Sequence, residues 1–249
     1  MYIMDDGIRL NAALDMPDHK KDQCSMVIVF HGFTGHMEER HILAVSQALN
    51  EIGLAVLRVE LYGHGKSGGR FGDHTLYKWL NNALTVIDYA RGLDFVTDIY
   101  LCGHSQGGLL VMLAAAMVPD KVKGIIPLSP ACMIPEAARR GEILGVSFDP
   151  DHIPDTINGF EDGPLSGNYI RVARTIHVDE AIDAFTGPVL IIHGTADETV
   201  PISVGEAAAR RYRHCSFIEI PDDTHCYDHH LEEVTAALQD WFKEMRICH

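Results

Sequence analysis

Residues 103–108 read Gly-His-Ser-Gln-Gly-Gly and place Ser105 between two glycines in the spacing G-x-S-x-G. A short apolar run precedes this segment and a long apolar run of good helix formers, residues 109–117, follows it. The pattern therefore predicts a strand, a tight turn and a helix, with the serine at the apex of the turn. A serine hydroxyl attacks only when it stands clear of the backbone and meets a base. We predict Ser105 as a nucleophile; the alternative is an ordinary glycine-rich turn between a strand and a helix.

A nucleophilic serine needs a base, and the base needs an acid that orients it. Asp197 follows an apolar run in the pattern G-x-x-D-x-x-V-P, and His225 follows the next apolar run along the chain. The sequence therefore predicts His225 as the base and Asp197 as its orienting acid. We expect His104 to point away into the fold, His193 to make a structural hydrogen bond, and Glu198 to point elsewhere. Asp222 and Asp223 are expected to cap a turn, and His229 and His230 to be surface or capping residues.

Acyl transfer from a serine also needs two N–H donors for the oxyanion that develops on the substrate. The backbone N–H of Gln106 lies at the start of the helix after Ser105 and is one candidate. The second candidate is the backbone N–H of Phe33, because His31-Gly32 ends an earlier apolar run with a sharp turn. We expect the Phe33 side chain to form a wall of the pocket for the acyl group.

Strands that alternate with helices position these residues. The patterns predict strands near 8–14, 26–30, 54–59, 99–102, 124–130, 188–194 and 216–220, and helices near 38–52, 75–92, 109–117, 203–213 and 229–246. Such alternation favours a mostly parallel sheet with helices on both faces, whose active site lies at the carboxyl ends of the strands. Between 132 and 184 the alternation breaks, which predicts an inserted lid; residues 1–131 and 185–249 would form the core.

Composition limits the partners. The 249 residues carry a net charge of −15, which argues against nucleic acid and anionic membranes as partners. The six cysteines form no C-x-x-C pair, and we expect free thiols and a cytoplasmic location. We expect no secretory leader and no membrane span. The sequence carries no metal or nucleotide motif, so we also expect no cofactor and no metal. A homodimer stays open.

The motifs resemble the α/β-hydrolase superfamily over essentially the whole chain. They are more closely similar to bacterial cinnamoyl or feruloyl esterases of gut and rumen organisms. The segments that carry this resemblance are residues 31–35, 103–108, 148–155, 167–173 and 223–226. The resemblance implies an α/β-hydrolase fold with a small lid, and a serine carboxylesterase that hydrolyses hydroxycinnamate esters through an acyl-enzyme. It also implies that Tyr169, in the lid, binds the ring hydroxyl of an aromatic ester substrate.

Other functions remain compatible with the same three residues. A short- or medium-chain acyl esterase, a monoacylglycerol lipase, a thioesterase or a C–C bond hydrolase would use the same chemistry under a different lid. A ligand receptor built on this scaffold would keep the pocket and turn over slowly. Fold alone does not choose among them.

Overall fold

The computed structural model describes residues 1–17, 22–160 and 162–245. Its strands are β1 (Tyr2–Asp5), β2 (Ile8–Asp15), β3 (Cys24–Phe30), β4 (Ala55–Val59), β5 (Val96–His104), β6 (Gly124–Leu128), β7 (Glu142–Ile143), β8 (Val146–Ser147), β9 (Thr156–Ile157), β10 (Leu165–Ser166), β11 (Val189–Gly194) and β12 (Cys215–Ile220). Its helices are α1 (Arg40–Glu51), α2 (Leu76–Arg91), α3 (Gln106–Met117), α4 (Ile134–Arg140), α5 (Gly167–Ala173), α6 (Val178–Ala184), α7 (Ile202–Arg211) and α8 (Leu231–Glu244).

Eight strands form one central sheet in the order β1-β2-β4-β3-β5-β6-β11-β12. Six of these strands, β4, β3, β5, β6, β11 and β12, run parallel to one another. By contrast, β1 and β2 pair antiparallel, and β2 also pairs antiparallel with β4. The predicted mostly parallel sheet is therefore confirmed. The segment predicted near 8–14 forms a hairpin with β1, which is the edge strand.

Helices cover both faces of the sheet, as predicted. One buried cluster joins the sheet to α1 and α8, and includes Leu49, Val234 and Trp241. A second cluster packs α2, α3 and the ends of α6 and α7 on the opposite face. Strands covered on both faces read as continuous apolar runs, and Met26 to Phe30 in β3 are all fully buried.

Residues 132–184 form α4, two short hairpins (β7–β8 and β9–β10), α5 and α6. A third buried cluster lies between this segment and the carboxyl edge of the sheet; it includes Phe33, Leu109, Ile134 and Tyr169. The final helix of the segment, α6, packs against α3 and α7. We use the name lid for residues 132–184, and these limits stay a proposal.

The cysteines within the described residues, Cys24, Cys102, Cys132, Cys215 and Cys226, are free thiols. The prediction for the sixth, Cys248, falls outside the described residues. No helix in the part of the chain that the structure describes is long and apolar enough to cross a membrane.

Candidate active site

Ser105 occupies a strained turn between β5 and α3. Its φ of 57° and ψ of −118° are rare for a residue with a side chain, and such strain is concentrated at functional sites. The two flanking glycines make the turn possible. A Cβ on Gly103 would collide with the carbonyl oxygen of Gly107, and a Cβ on Gly107 would collide with that of His31. The Ser105 N–H donates to the carbonyl of Leu128 at 2.8 Å, which ties the turn to β6.

The structure brings Asp197 and His225 together. Oδ2 of Asp197 lies 2.7 Å from Nδ1 of His225 and 3.3 Å from Nε2 of His193. Its other oxygen, Oδ1, accepts from the N–H groups of Thr199 and Val200 at 2.9 and 2.8 Å. Burial alone would raise the pKa of Asp197, but hydrogen bonds from His193 and His225 outweigh it and hold the pKa well below its usual range. Asp197 is therefore a fixed anion beside His225.

Ser105 and His225 line the same cavity of about 340 Å³, a volume within the usual range for small-molecule sites. This cavity, which we call the site cavity, opens at the carboxyl edge of the sheet. Its lining residues are Gly32, Phe33, Thr34, Gly35, Glu39, His104, Ser105, Leu144, Gly159, Phe160, Thr199, His225 and Cys226. The geometry thus collects a serine, a histidine and a buried carboxylate, the set needed to activate a hydroxyl.

His104 is buried in the fold against His225. A ring nitrogen, Nε2, donates to the backbone carbonyl of His225 at 2.8 Å, and the two rings lie 4.6 Å apart. On its other side, His104 contacts the ring of His41 at 4.3 Å. Burial, followed by the nearby His41 and His225, lowers the pKa of His104 well below its usual value, so the ring is neutral. His104 therefore supports the segment that carries His225.

The two N–H groups predicted for an oxyanion belong to residues beside Ser105. Gln106 follows Ser105 directly, and Gly32, which precedes Phe33, lies so close that a Cβ on it would be 3.2 Å from the Cβ of Ser105. Among the described residues, neither the Phe33 N–H nor the Gln106 N–H donates to a protein acceptor. The Phe33 carbonyl is hydrogen-bonded by Nε2 of His64, whose Nδ1 lies 3.0 Å from the carbonyl of Tyr62. Gln106 begins α3, where the helix dipole adds positive potential.

Tyr169 is fully buried, and its hydroxyl donates to Oε1 of Gln106 at 2.6 Å. Burial raises the pKa of this phenol far above its usual value. The residue does not line the site cavity; its ring packs edge-on to Phe33, with centroids 5.6 Å apart. Its contact therefore joins the lid to α3, the helix that begins directly after Ser105. Binding of a substrate ring hydroxyl by Tyr169 stays a prediction.

The lid closes one side of the site cavity with apolar residues that the sequence patterns did not single out. Phe160 packs against Phe33 with ring centroids 5.2 Å apart. Leu144 lies in the turn between β7 and β8, where both Leu144 (φ 45°) and Gly145 (φ 82°) have positive φ. Leucine rarely adopts that conformation, so the backbone is strained at the point where Leu144 lines the cavity. No motif marks these residues, because a lid wall needs only bulk and apolarity.

Two of the other ionisable residues, Asp223 and His193, have structural roles, as predicted. Asp223 is fully buried and accepts from the N–H groups of Thr224, His229 and His230, which fixes the turn before α8. His193 lies against Asp197 and the carbonyl of Val200, and Glu198 is exposed. No group of His, Cys, Asp and Glu within the described residues could hold a metal ion.

The family Hydrolase_4, described as serine aminopeptidase, S33, matches residues 21–149. The solved structure "Ferulic Acid bound to Est1E from Butyrivibrio proteoclasticus" is 59% identical in sequence, with a TM-score of 0.97 and 98% of each chain covered. A second structure of Est1E, from the same organism, is 56% identical, with a TM-score of 0.93 over 98% of this chain and 97% of that one.

Curated proteins are more distant. A monoacylglycerol lipase of Mycolicibacterium smegmatis is 23% identical over 79% of this chain and 78% of its own length. The human mitochondrial palmitoyl-protein thioesterase ABHD10 is 27% identical over 70% of this chain and 58% of its own length. Mouse ABHD10 shares the fold, with a TM-score of 0.74 at 18% identity and 98% of each chain covered.

Proposed function

The chain belongs to the α/β-hydrolase family described as serine aminopeptidase, S33, and on that premise we propose that it is a serine carboxylesterase for hydroxycinnamate esters. One observation carries the substrate class: the 59% identical Est1E, which the chain matches over 98% of its length, has been solved with ferulic acid bound. An esterase that releases ferulate must hold that acid as its acyl group before letting it go.

In the first half-reaction, His225 takes the proton of the Ser105 hydroxyl while the oxygen attacks the ester carbonyl carbon. Asp197 holds the Nδ1 proton of His225, which leaves Nε2 unprotonated to act as the base. It also stabilises the imidazolium that forms. The 2.7 Å contact and the lowered pKa of Asp197 support this role.

The tetrahedral intermediate carries its negative charge on the former carbonyl oxygen. The N–H groups of Phe33 and Gln106 are the donors proposed for it, and their lack of another acceptor among the described residues supports that role. When the intermediate collapses, the bond to the alcohol oxygen breaks and the alcohol leaves with the proton from His225. Water then attacks the acyl-enzyme by the same steps, and the free acid departs.

The acyl group is proposed to lie against Phe33, Phe160 and Leu144, the apolar side of the site cavity. A planar cinnamoyl ring would pack there on two aromatic side chains whose centroids are 5.2 Å apart. The curated relatives named as a lipase and a thioesterase make a fatty acyl group the competing outcome. The acid preference therefore decides between these substrate classes.

The test compares methyl ferulate with methyl butyrate as substrates for the native chain, for Ser105→Ala and for Ser203→Ala. We expect a strong preference for ferulate, and Ser105→Ala should lower kcat by roughly 10⁴-fold or more. Ser203 is exposed at the start of α7, away from the site cavity, and its variant is the matched control. Cleavage of butyrate alone would leave the serine chemistry intact and overturn the hydroxycinnamate assignment.

Full activity of Ser105→Ala on either ester would overturn the nucleophile assignment itself.

The proposed cytoplasmic location rests on the free thiols of the described cysteines. Fractionation of the cells that produce the protein would test it.

A further inference from the structure

Two chemically different sets of residues line the site cavity. Phe33, Leu144 and Phe160 are apolar, and the rings of Phe33 and Phe160 are in contact. Glu39 and Cys226 are polar, and Cys226 directly follows His225 in the chain. Among the described residues that line the cavity, Glu39 supplies the one carboxylate. The proposed reaction assigns no role to the side chains of Glu39 and Cys226.

Glu39 is held in position by its local backbone. Its Oε2 accepts from the N–H of His36 at 3.2 Å. Gly35 leaves room for the carboxylate, because a Cβ there would collide with Oε2. The side chain does not cap α1, although Glu39 stands at the capping position of that helix. The conformation therefore directs the carboxylate to the cavity instead of to the helix.

The Glu39 carboxylate keeps unused capacity for hydrogen bonds. Within the described residues it has no ion pair, and Oε1 has no hydrogen-bond partner. Burial raises its pKa, an effect that hydrogen bonding from His36 and the nearby His225 oppose. A half-buried carboxylate with a free oxygen is costly unless solvent or a ligand satisfies it.

The chemistry of the reaction fixes which part of a substrate meets Glu39. His225 delivers its proton to the departing alcohol, so the alcohol must leave beside His225. The acyl group is placed against Phe33, Leu144 and Phe160, which leaves the alcohol the part of the cavity that His225 and Glu39 line. Burial, and then the nearby Glu39, raises the pKa of the Cys226 thiol to about 11. Glu39 is therefore the carboxylate available to the alcohol.

We propose that Glu39 determines the alcohol specificity of the enzyme: its carboxylate accepts hydrogen bonds from the hydroxyls of a neutral polyhydroxyl alcohol, such as a sugar, and disfavours alcohols that carry a carboxylate. This inference rests on the proposed function for the direction of the substrate. A charged acceptor gives stronger hydrogen bonds than a neutral one, and a like charge at short range repels.

The experiment measures kcat/KM for three ferulate esters, those of methanol, arabinose and quinate, with the native chain, Glu39→Gln and Glu38→Gln. In Glu39→Gln the ratio of arabinose ester to methyl ester should fall about five- to tenfold, and the ratio of quinate ester to methyl ester should rise about fivefold. Any effect on the protonation of His225 acts on all three esters and cancels in the ratios. Glu38, an exposed neighbour outside the cavity, is the matched control, and its variant should change each ratio less than twofold.

A damaged fold would lower all three activities together, whereas the proposal requires the two ratios to move in opposite directions. Ratios that stay within twofold of the native values in Glu39→Gln would overturn it. If the native chain failed to cleave ferulate esters at all, the proposed function would fall. The butyrate esters of the same three alcohols would then give the same ratios, because the alcohol end is independent of the acid.

Discussion

The carboxyl edge of the sheet and the lid meet at one cavity, yet they are built by different rules. At the sheet edge, glycines, strained backbone and buried hydrogen bonds fix each reactive group; Asp197 alone makes four polar contacts. The lid presents Leu144 and Phe160 from short hairpins and loops, held by apolar contacts. We therefore expect the sheet edge to determine whether a bond is broken and the lid to determine which acid is accepted.

Among the variants that compare the two regions, Asp197→Asn should have the largest effect, because it removes the carboxylate that orients His225 at the sheet edge. An amide in that position can still accept from Thr199 and Val200, but it no longer holds His225 in the tautomer with a proton on Nδ1. By analogy with serine proteases, kcat should fall by roughly 10³- to 10⁴-fold. The loss should be equal for ferulate and butyrate esters, which steady-state kinetics would measure.

The neighbouring Glu198→Gln is the control for that variant, since Glu198 is exposed and adjacent in sequence. It should change kcat less than twofold. A large loss of kcat in Glu198→Gln together with a small loss in Asp197→Asn would show that Glu198, and not Asp197, is the orienting acid.

Phe160→Ala should act on the lid side alone. Removing the ring that packs on Phe33 takes away aromatic contact with a cinnamoyl group, so kcat/KM for methyl ferulate should fall about tenfold. Methyl butyrate is too short to use that contact and should change less than threefold. Phe148, a partly buried lid residue packed against the same cluster but outside the cavity, offers Phe148→Ala as the control. Equal losses of kcat/KM on both esters would show that the lid does not select the acid.

The smallest expected effect concerns stability at the boundary between the two regions, where His74 is buried against Phe33 and Tyr169. Burial, and then the neighbouring His64, lowers the pKa of His74 to about 3. The unfolded chain titrates near pH 6.5, so it binds more protons than the folded one between about pH 6.5 and pH 3. The stability due to neutral His74 is therefore fully present above about pH 6.5 and is lost as the pH falls towards 3.

Each such histidine should contribute a slope of about 1.4 kcal/mol per pH unit within that window. His74→Phe should reduce the slope of the free energy of unfolding by about that amount, as measured by urea unfolding from pH 7.5 to pH 4.5. Tyr169→Phe changes an aromatic neighbour of His74 without removing a histidine, so it should leave the slope unchanged. An identical slope in His74→Phe and the native chain would show that His74 does not stay neutral in the folded state.

The same division explains what the sequence could predict. Strands covered on both faces read as apolar runs, and the G-x-S-x-G spacing has a steric cause, so the sheet and the neighbourhood of Ser105 were predictable. The contacts of Leu144 and Phe160 were not, because apolar packing in a lid depends on bulk brought together by long-range folding. The position of Glu39 in the cavity was not predictable either, because it depends on the space that Gly35 leaves for its carboxylate in three dimensions.

His104 shows a further limit of sequence reasoning. As the neighbour of Ser105 on a tight turn it was expected to point away into the fold, and it is indeed buried. Its bond to the carbonyl of His225 joins segments 121 residues apart. No local pattern marks such a pair, since either residue alone satisfies the ordinary rules for a buried histidine.

Phe33 joins the two regions within a single residue: its N–H lies at the sheet edge, and its ring packs on Phe160 and Tyr169 of the lid. Mutations that reshape the lid for a new acid should therefore also shift the backbone of Phe33 beside Ser105. We expect substrate preference and turnover rate to change together during evolution. Grafting a foreign lid onto this scaffold should succeed only with donors whose own aromatic contacts leave that peptide where it is.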